Sequence, residues 1–237
     1  MQLIAMQLIA TQLIAMHGWA GDAQGMEPFQ AAWRARGWRS QCGERGYAGQ
    51  TPRAVNWLAG GGLKVVVAHS LGPHLLAPAV LEQADAVVLL ASFGRFLPEG
   101  KNGRRLAAAV AAMADQLGGS QANSMIETFL EKAAAPQAPS QLPPGITARA
   151  LLEPGRRRLA EDLALLTATS GLPAGFPSRA RVLIVEGRED QIVVPEARRL
   201  LREALPAADS LELAGVGHCL LSSALVGMVC AWIEALP

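Results

Sequence analysis

Short apolar runs rich in Val, Ile and Leu recur along the chain, each bounded by Gly or polar turn residues. Runs of this length with little polar alternation predict strands buried on both faces. They fall at Gln12–Met16, Lys64–His69, Ala86–Ser92, Arg181–Glu186 and Ser210–Leu213, with a weaker one near Trp38–Gln41. Helical patterns separate them at Gly25–Arg36, Leu71–Glu82, Pro195–Leu205 and Leu220–Leu236. Strands alternating with helices predict an α/β fold, a mostly parallel sheet flanked by helices.

The alternation stops between Phe93 and Arg179. That stretch is rich in Ala, Pro, Gly and Arg and holds helical pieces at Arg104–Leu117, Ser124–Ala134 and Gly155–Ala168, divided by the Pro-rich joint Pro136–Pro144. Residues 93–179 are therefore expected to form a helical lid insertion, with 11–92 and 180–237 as the core. The carboxyl edge of the sheet is the place expected for the lid, because ligands bind there in open α/β folds.

The chain opens on a repeated Met-Gln-Leu-Ile-Ala. The repeat lacks the basic start and cleavage site of a signal peptide. Gln at every fifth position interrupts it as a membrane span. The third copy supplies the strand at Gln12–Met16. Residues 1–10 read as a repetitive extension, a duplicated or mis-assigned start, with Met6 or a later position nearer the functional beginning.

Bulk properties narrow the function classes. A length of 237 residues suits one well-buried core. The composition is 51% hydrophobic and 17% charged, with a net charge of +1, which calls for neither nucleic acid nor a polyanionic surface. Three cysteines without CxxC spacing argue against a disulfide framework or a zinc site. A monomer in a reducing cytoplasm is expected, with no membrane or nucleic-acid partner.

The sharpest chemical motif is Lys64-Val-Val-Val-Ala-His-Ser-Leu-Gly-Pro. A strand ends in Ala68-His69-Ser70-Leu71-Gly72 and a helix pattern follows. This is the strand–turn–helix setting of the nucleophile elbow, in which small residues flank a serine held in a tight turn. Ala68 stands where Gly is usual, and Pro73 sits early in the helix, where its missing N–H is not needed.

A serine hydroxyl becomes nucleophilic only beside a base that is oriented by an acid. Of four histidines, His69 adjoins the serine, His74 lies in the following helix and His17 follows the first strand. His218 alone follows the last strand, the position that the chain order Ser…Asp…His requires. The acid should follow the penultimate strand. Asp190 stands there in Gly187-Arg-Glu-Asp, with Glu189 as the neighbour to exclude. Its role is to accept the imidazole N–H. Backbone N–H groups of Leu71 and of Trp19, in His17-Gly18-Trp19, are expected to form the oxyanion hole.

Taken in order, His17-Gly18-Trp19, the Ser70 elbow, the Gly187–Asp190 turn and Gly217-His218 resemble the α/β-hydrolase superfamily from Gln12 to the last helix. Within it, the chain resembles the pimeloyl-[acyl-carrier protein] methyl ester esterases of biotin synthesis. That likeness rests on His-Gly-Trp at 17–19, Ala91-Ser92, Ile126-Glu-Thr-Phe-Leu-Glu-Lys, and Leu151-Leu-Glu-Pro-Gly ahead of Asp162-Leu. It implies a serine carboxylesterase that frees a carboxylate from a carrier-bound methyl ester and needs no metal or cofactor. It also implies that Trp19, Ser70, Leu71, Phe129, Leu130, Ala133 and His218 touch the substrate. Three features depart from the pattern, one being Ser124 and Thr128 on the Phe129 helix, where a basic docking face is expected. The antiparallel hairpin before the first strand is reduced to the repeat, and Gly43-Glu-Arg-Gly-Tyr-Ala-Gly replaces the usual Asp-x-Pro-Gly-aromatic-Gly loop.

Between Phe93 and Ala180 ten Lys/Arg stand against seven Asp/Glu, and Arg156-Arg157-Arg158 is the densest cluster. A basic lid of this kind is expected to steer an acidic carrier protein. Phe93, Phe96, Met113, Met125 and Phe129 are candidates for an acyl tunnel. The alternatives are a general small-ester or thioester hydrolase without a carrier, and a non-catalytic binding protein on the same scaffold.

Overall fold

The computed structural model describes residues 11–143, 145–146 and 151–237. The expected extension, with Met6, and Arg149 of the lid lie outside the described residues.

Among the described residues, six parallel strands form one sheet in the order β2-β1-β3-β4-β5-β6. They are β1 (Gln12–Met16), β2 (Arg39–Cys42), β3 (Lys64–His69), β4 (Ala86–Leu90), β5 (Arg181–Gly187) and β6 (Asp209–Leu213). The central strands carry the apolar runs because both faces are covered. Val65, Val66, Val67 and Ala68 are wholly buried, as are Val87 and Val88. Edge strand β6 alternates exposed Ser210 and Glu212 with more buried partners, as expected where one face meets water.

The strand period of two divides the core. Leu13, Val65, Val67, Val88 and Leu183 face α1 (Glu27–Ala35) and α8 (Leu225–Glu234). Ile14, Val66, Val87, Leu89 and Ile184 face the opposite layer, where Leu201 of α7 (Pro195–Ala204) packs. The helix expected over Leu71–Glu82 is broken into α2 (Gly72–Leu75) and α3 (Pro78–Leu81). Pro78 is the reason: it pushes the preceding Ala77 into extended backbone, at φ −64 and ψ 139. The last helix starts at Leu225 rather than Leu220, because Leu220 takes a left-handed φ of 49 in the loop that follows His218.

Between β4 and β5 come α4 (Gly100–Leu117), α5 (Ala122–Ala134) and α6 (Glu153–Ala168). Their apolar faces pack with Trp19, Tyr47 and Leu71 in a third cluster. Trp19 and Leu71 lie just past the carboxyl ends of β1 and β3. The chain leaves β1 toward β2 and returns to place β3 on the other side of β1. That reversal is the topological switch point, where connecting loops part and leave a crevice.

Candidate active site

Ser70 is the first residue beyond β3. Its backbone N–H donates to the Leu90 carbonyl at 2.8 Å, and Ser92 Oγ donates to the Ser70 carbonyl at 2.7 Å. The turn holds Ser70 at φ 55, in the left-handed region that costs a side-chain-bearing residue roughly 1–2 kcal/mol. Two glycines permit the close packing around it. A Cβ on Gly72 would lie 2.6 Å from the Met16 carbonyl, and one on Gly18 would lie 2.7 Å from Ser70 Cβ. Ala68 is fully buried in the strand with its methyl accommodated.

His218 comes from the loop after β6 and is buried. Its Nε2 lies 3.0 Å from Ser70 Oγ, and its Nδ1 lies 2.9 Å from Asp190 Oδ2. The other carboxylate oxygen of Asp190 accepts from the N–H groups of Ile192 at 2.7 Å and Val193 at 3.0 Å. Burial alone would raise the Asp190 pKa. The His218 charge and these hydrogen bonds outweigh it and hold the carboxyl below the usual carboxylate range. An ionised acceptor on Nδ1 leaves Nε2 free to take a proton from the serine hydroxyl, so the line can activate Ser70.

Five neighbouring contacts have no local signal in the sequence. Glu189 turns away from the line and accepts the backbone N–H of Val216 at 2.9 Å, tying the acid turn to the histidine loop. His69 Nε2 lies 2.9 Å from the His218 carbonyl. A carbonyl only accepts, so that nitrogen carries the proton. His17 donates from Nδ1 to the Gly18 carbonyl at 2.8 Å and accepts the Arg45 N–H at Nε2, which fixes the base of the 17–19 loop. His74 binds the Phe93 carbonyl, away from Ser70. Among the described residues, the backbone N–H groups of Trp19 and Leu71 donate to no protein acceptor. Donors left open beside a serine can receive a developing oxyanion.

A cavity of about 410 Å³ adjoins the line, walled by Gly18, Trp19, His69, Phe129, Leu130, Ala133 and His218 among others. Ser70 and Leu71 are not themselves in its walls. Ser70 reaches the cavity through the hydrogen bond to His218. Trp19 and Phe129 meet edge to face at 4.9 Å, and the Trp19 indole N–H donates to the Leu159 carbonyl of α6 at 2.8 Å. Phe93, Phe96, Met113 and Met125 pack in the helical cluster instead of lining the cavity.

Behind Trp19, Asp162 of α6 is buried. It accepts both Arg45 Nε at 2.7 Å and Nη2 at 2.6 Å, and also the Tyr47 hydroxyl at 2.5 Å. The unusual 43–49 loop thus fastens α6 to the core. The expected basic cluster does not present one face. Successive helical residues turn by about 100°. Arg157 faces Glu161 at 3.9 Å, and Arg158 reaches the Gly46 carbonyl at 3.4 Å.

No curated protein sequence matches the chain. An esterase from Exiguobacterium antarcticum is similar in structure, with a TM-score of 0.70 and 12% identity over 95% of this chain and 92% of that one. The enol-lactonase from Burkholderia xenovorans LB400 has a TM-score of 0.69 and 16% identity, over 95% and 92% of the two chains. MenH from S. aureus has a TM-score of 0.58 and 12% identity, over 94% and 93%. At these identities the likeness shows the fold. The sequence itself matches the α/β hydrolase family over residues 16–226, and the chain belongs to that family.

Proposed function

We propose that the protein is a serine carboxylic ester hydrolase. The observation that carries this reading is the unbroken line from Asp190 through His218 to Ser70, with both hydrogen bonds at 2.9–3.0 Å and the serine in a left-handed turn. Ser70 Oγ attacks the ester carbonyl as His218 Nε2 takes its proton. The tetrahedral oxyanion is received by the N–H groups of Trp19 and Leu71. His218 then protonates the departing alcohol, and a water activated by the same nitrogen releases the acid. Esterases and a lactonase among the structural neighbours support ester chemistry. Labelling by a fluorophosphonate probe, lost in Ser70→Ala together with ester hydrolysis, is the test. Labelling elsewhere, or hydrolysis that survives the substitution, sinks it.

The finer reading is the methyl ester of pimeloyl-[acyl-carrier protein], presented to the cavity by a carrier that docks at Arg156, Arg157 and Arg158 in the cytoplasm. Its support is the residue likeness at 17–19, 91–92 and 126–132, and the Phe129, Leu130 and Ala133 wall. Rescue of a biotin-requiring strain that depends on Ser70 tests it. A carrier-independent small-ester hydrolase is the second reading. It is favoured by the engagement of Arg157 with Glu161 and of Arg158 with the core loop. Charge reversal at the three arginines discriminates, because only carrier-presented substrate should slow.

A further inference from the structure

The acidic side chains that wall the cavity are Asp22, Glu127 and Glu131, and among the described residues no Lys or Arg joins them. Glu127 and Glu131 are one turn apart on α5, on the side that brings Leu130 to the cavity, so both carboxylates stand at one rim. Lys132, the next residue on α5, is exposed and outside the wall. Asp22 also lines the cavity and is buried, with Oδ1 held by the Gly25 N–H at 3.0 Å and Oδ2 approached by Gln50 Nε2 at 3.4 Å. Those donors are neutral, and among the described residues no Lys or Arg pairs with Asp22. Apart from these groups the walls are largely apolar, with Trp19, Met26, Phe29, Phe129, Leu130 and Leu225 prominent.

We infer that the cavity selects uncharged or cationic esters against anionic ones, and that Glu127, Glu131 and Asp22 set this specificity. The inference rests on the reading of Ser70 as an ester nucleophile. A negative group on the acyl chain would lose its water beside apolar walls and, among the described residues, meet the carboxylates of Asp22, Glu127 and Glu131. A terminal ammonium would meet these carboxylates in a wall that also holds aromatic side chains. Hydrolysis adds water across the ester and turns a neutral acyl group into a carboxylate with release of a proton. The same charges therefore repel the product once it has formed.

Three methyl esters of nearly equal length test this: methyl hexanoate, the monomethyl ester of adipic acid and methyl 6-aminohexanoate, followed by methanol release near pH 8. The expected result is kcat/KM for the adipate monoester about 10-fold or more below that for methyl hexanoate at low ionic strength, with the ratio narrowing as salt is added. The ratio should also narrow in the Glu127→Gln/Glu131→Gln double variant, and the order of the adipate and aminohexanoate esters should reverse in Glu127→Lys/Glu131→Lys. Both sites are exposed, so the fold is expected to tolerate either change. If wild-type protein cleaves the anionic and neutral esters equally, or if the ratio ignores both double variants, the specificity is overturned while the hydrolase stands. If methyl hexanoate is not cleaved and the fluorophosphonate does not label Ser70, the hydrolase reading falls and the specificity falls with it.

Discussion

His69 donates from Nε2 to the backbone carbonyl of His218 at 2.9 Å, and the two rings lie 5.0 Å apart. The residue before the serine thus holds the loop that carries the base. This places the proposed nucleophile and base on one rigid unit, although 148 positions separate them in sequence.

Acid should loosen this unit. Burial first, and then the neighbouring His218, push the His69 pKa down to about 4, whereas an unfolded imidazole titrates near 6.5. Between those values the unfolded chain holds a proton that the folded chain refuses. Stability from this group is therefore full above about pH 6.5, falls as pH drops, and levels off below about pH 4. The effect should be on the order of 2 kcal/mol, allowing for water in the adjoining cavity. His69→Gln keeps a donor but does not titrate, so its urea midpoint should fall less steeply between pH 7 and 4.5. Parallel slopes for the two proteins would remove His69 from this role.

Replacement of Ser70 should reveal the strain of the elbow. Ser70→Ala and Ser70→Gly both lose the hydroxyl and its bond to His218, so both should lose activity by about 10⁴-fold or more. Only Gly fits φ 55 without cost. The Gly variant should therefore be the more stable of the two by roughly 1 kcal/mol, opposite to their order in ordinary helices. Denaturant melts of the pair decide it, and an Ala variant equal to or above Gly would mean that the turn stores no strain.

Asp190→Asn separates charge from shape. The amide oxygen can still accept from Ile192 and Val193, but an amide nitrogen turned to His218 Nδ1 favours the tautomer with its proton on Nε2. That nitrogen could then no longer take the Ser70 proton. Turnover should fall by about 10⁴-fold, with fluorophosphonate labelling slowed in parallel. A loss of less than tenfold would mean that Glu189 or another acid replaces it.

How much of this was legible depended on distance along the chain. Gln12–Met16 and Lys64–His69 are observed as read, because central parallel strands need continuous apolar sequence. The line from Asp190 to His218 to Ser70 could be anticipated because each residue follows its own strand. The break at Pro78 was available in the sequence but was outweighed there by the helical spacing around it. The partnership of Arg45, Tyr47 and Asp162 was not legible, since no local pattern links positions more than a hundred residues apart. Summed charge misled in a different way. The insertion is basic by count, yet the charged α5 residues that line the cavity are Glu127 and Glu131.

α6 is linked to the proposed oxyanion loop through the Trp19 indole. Asp162 is buried and takes three hydrogen bonds, two from Arg45 and one from the Tyr47 hydroxyl. Asp162→Ala would leave Tyr47, itself buried, without its acceptor, and Arg45 half-buried without its counter-charge. Removal of one partner of such a group costs about 3–5 kcal/mol, more than the pair contributes over an apolar substitute. The damage should reach catalysis, because α6 also holds the Trp19 indole through the Leu159 carbonyl, and Trp19 carries one of the two open N–H donors. Asp162→Ala should thus lower kcat as well as the melting midpoint. Asp162→Asn keeps an acceptor for Tyr47 and should recover part of both. Trp19→Phe keeps the ring but not the indole N–H, and should lower kcat with less loss of stability. If Asp162→Ala unfolds the protein at assay temperature, Trp19→Phe still decides the matter: an unchanged kcat in that variant would show that α6 does not position the oxyanion loop.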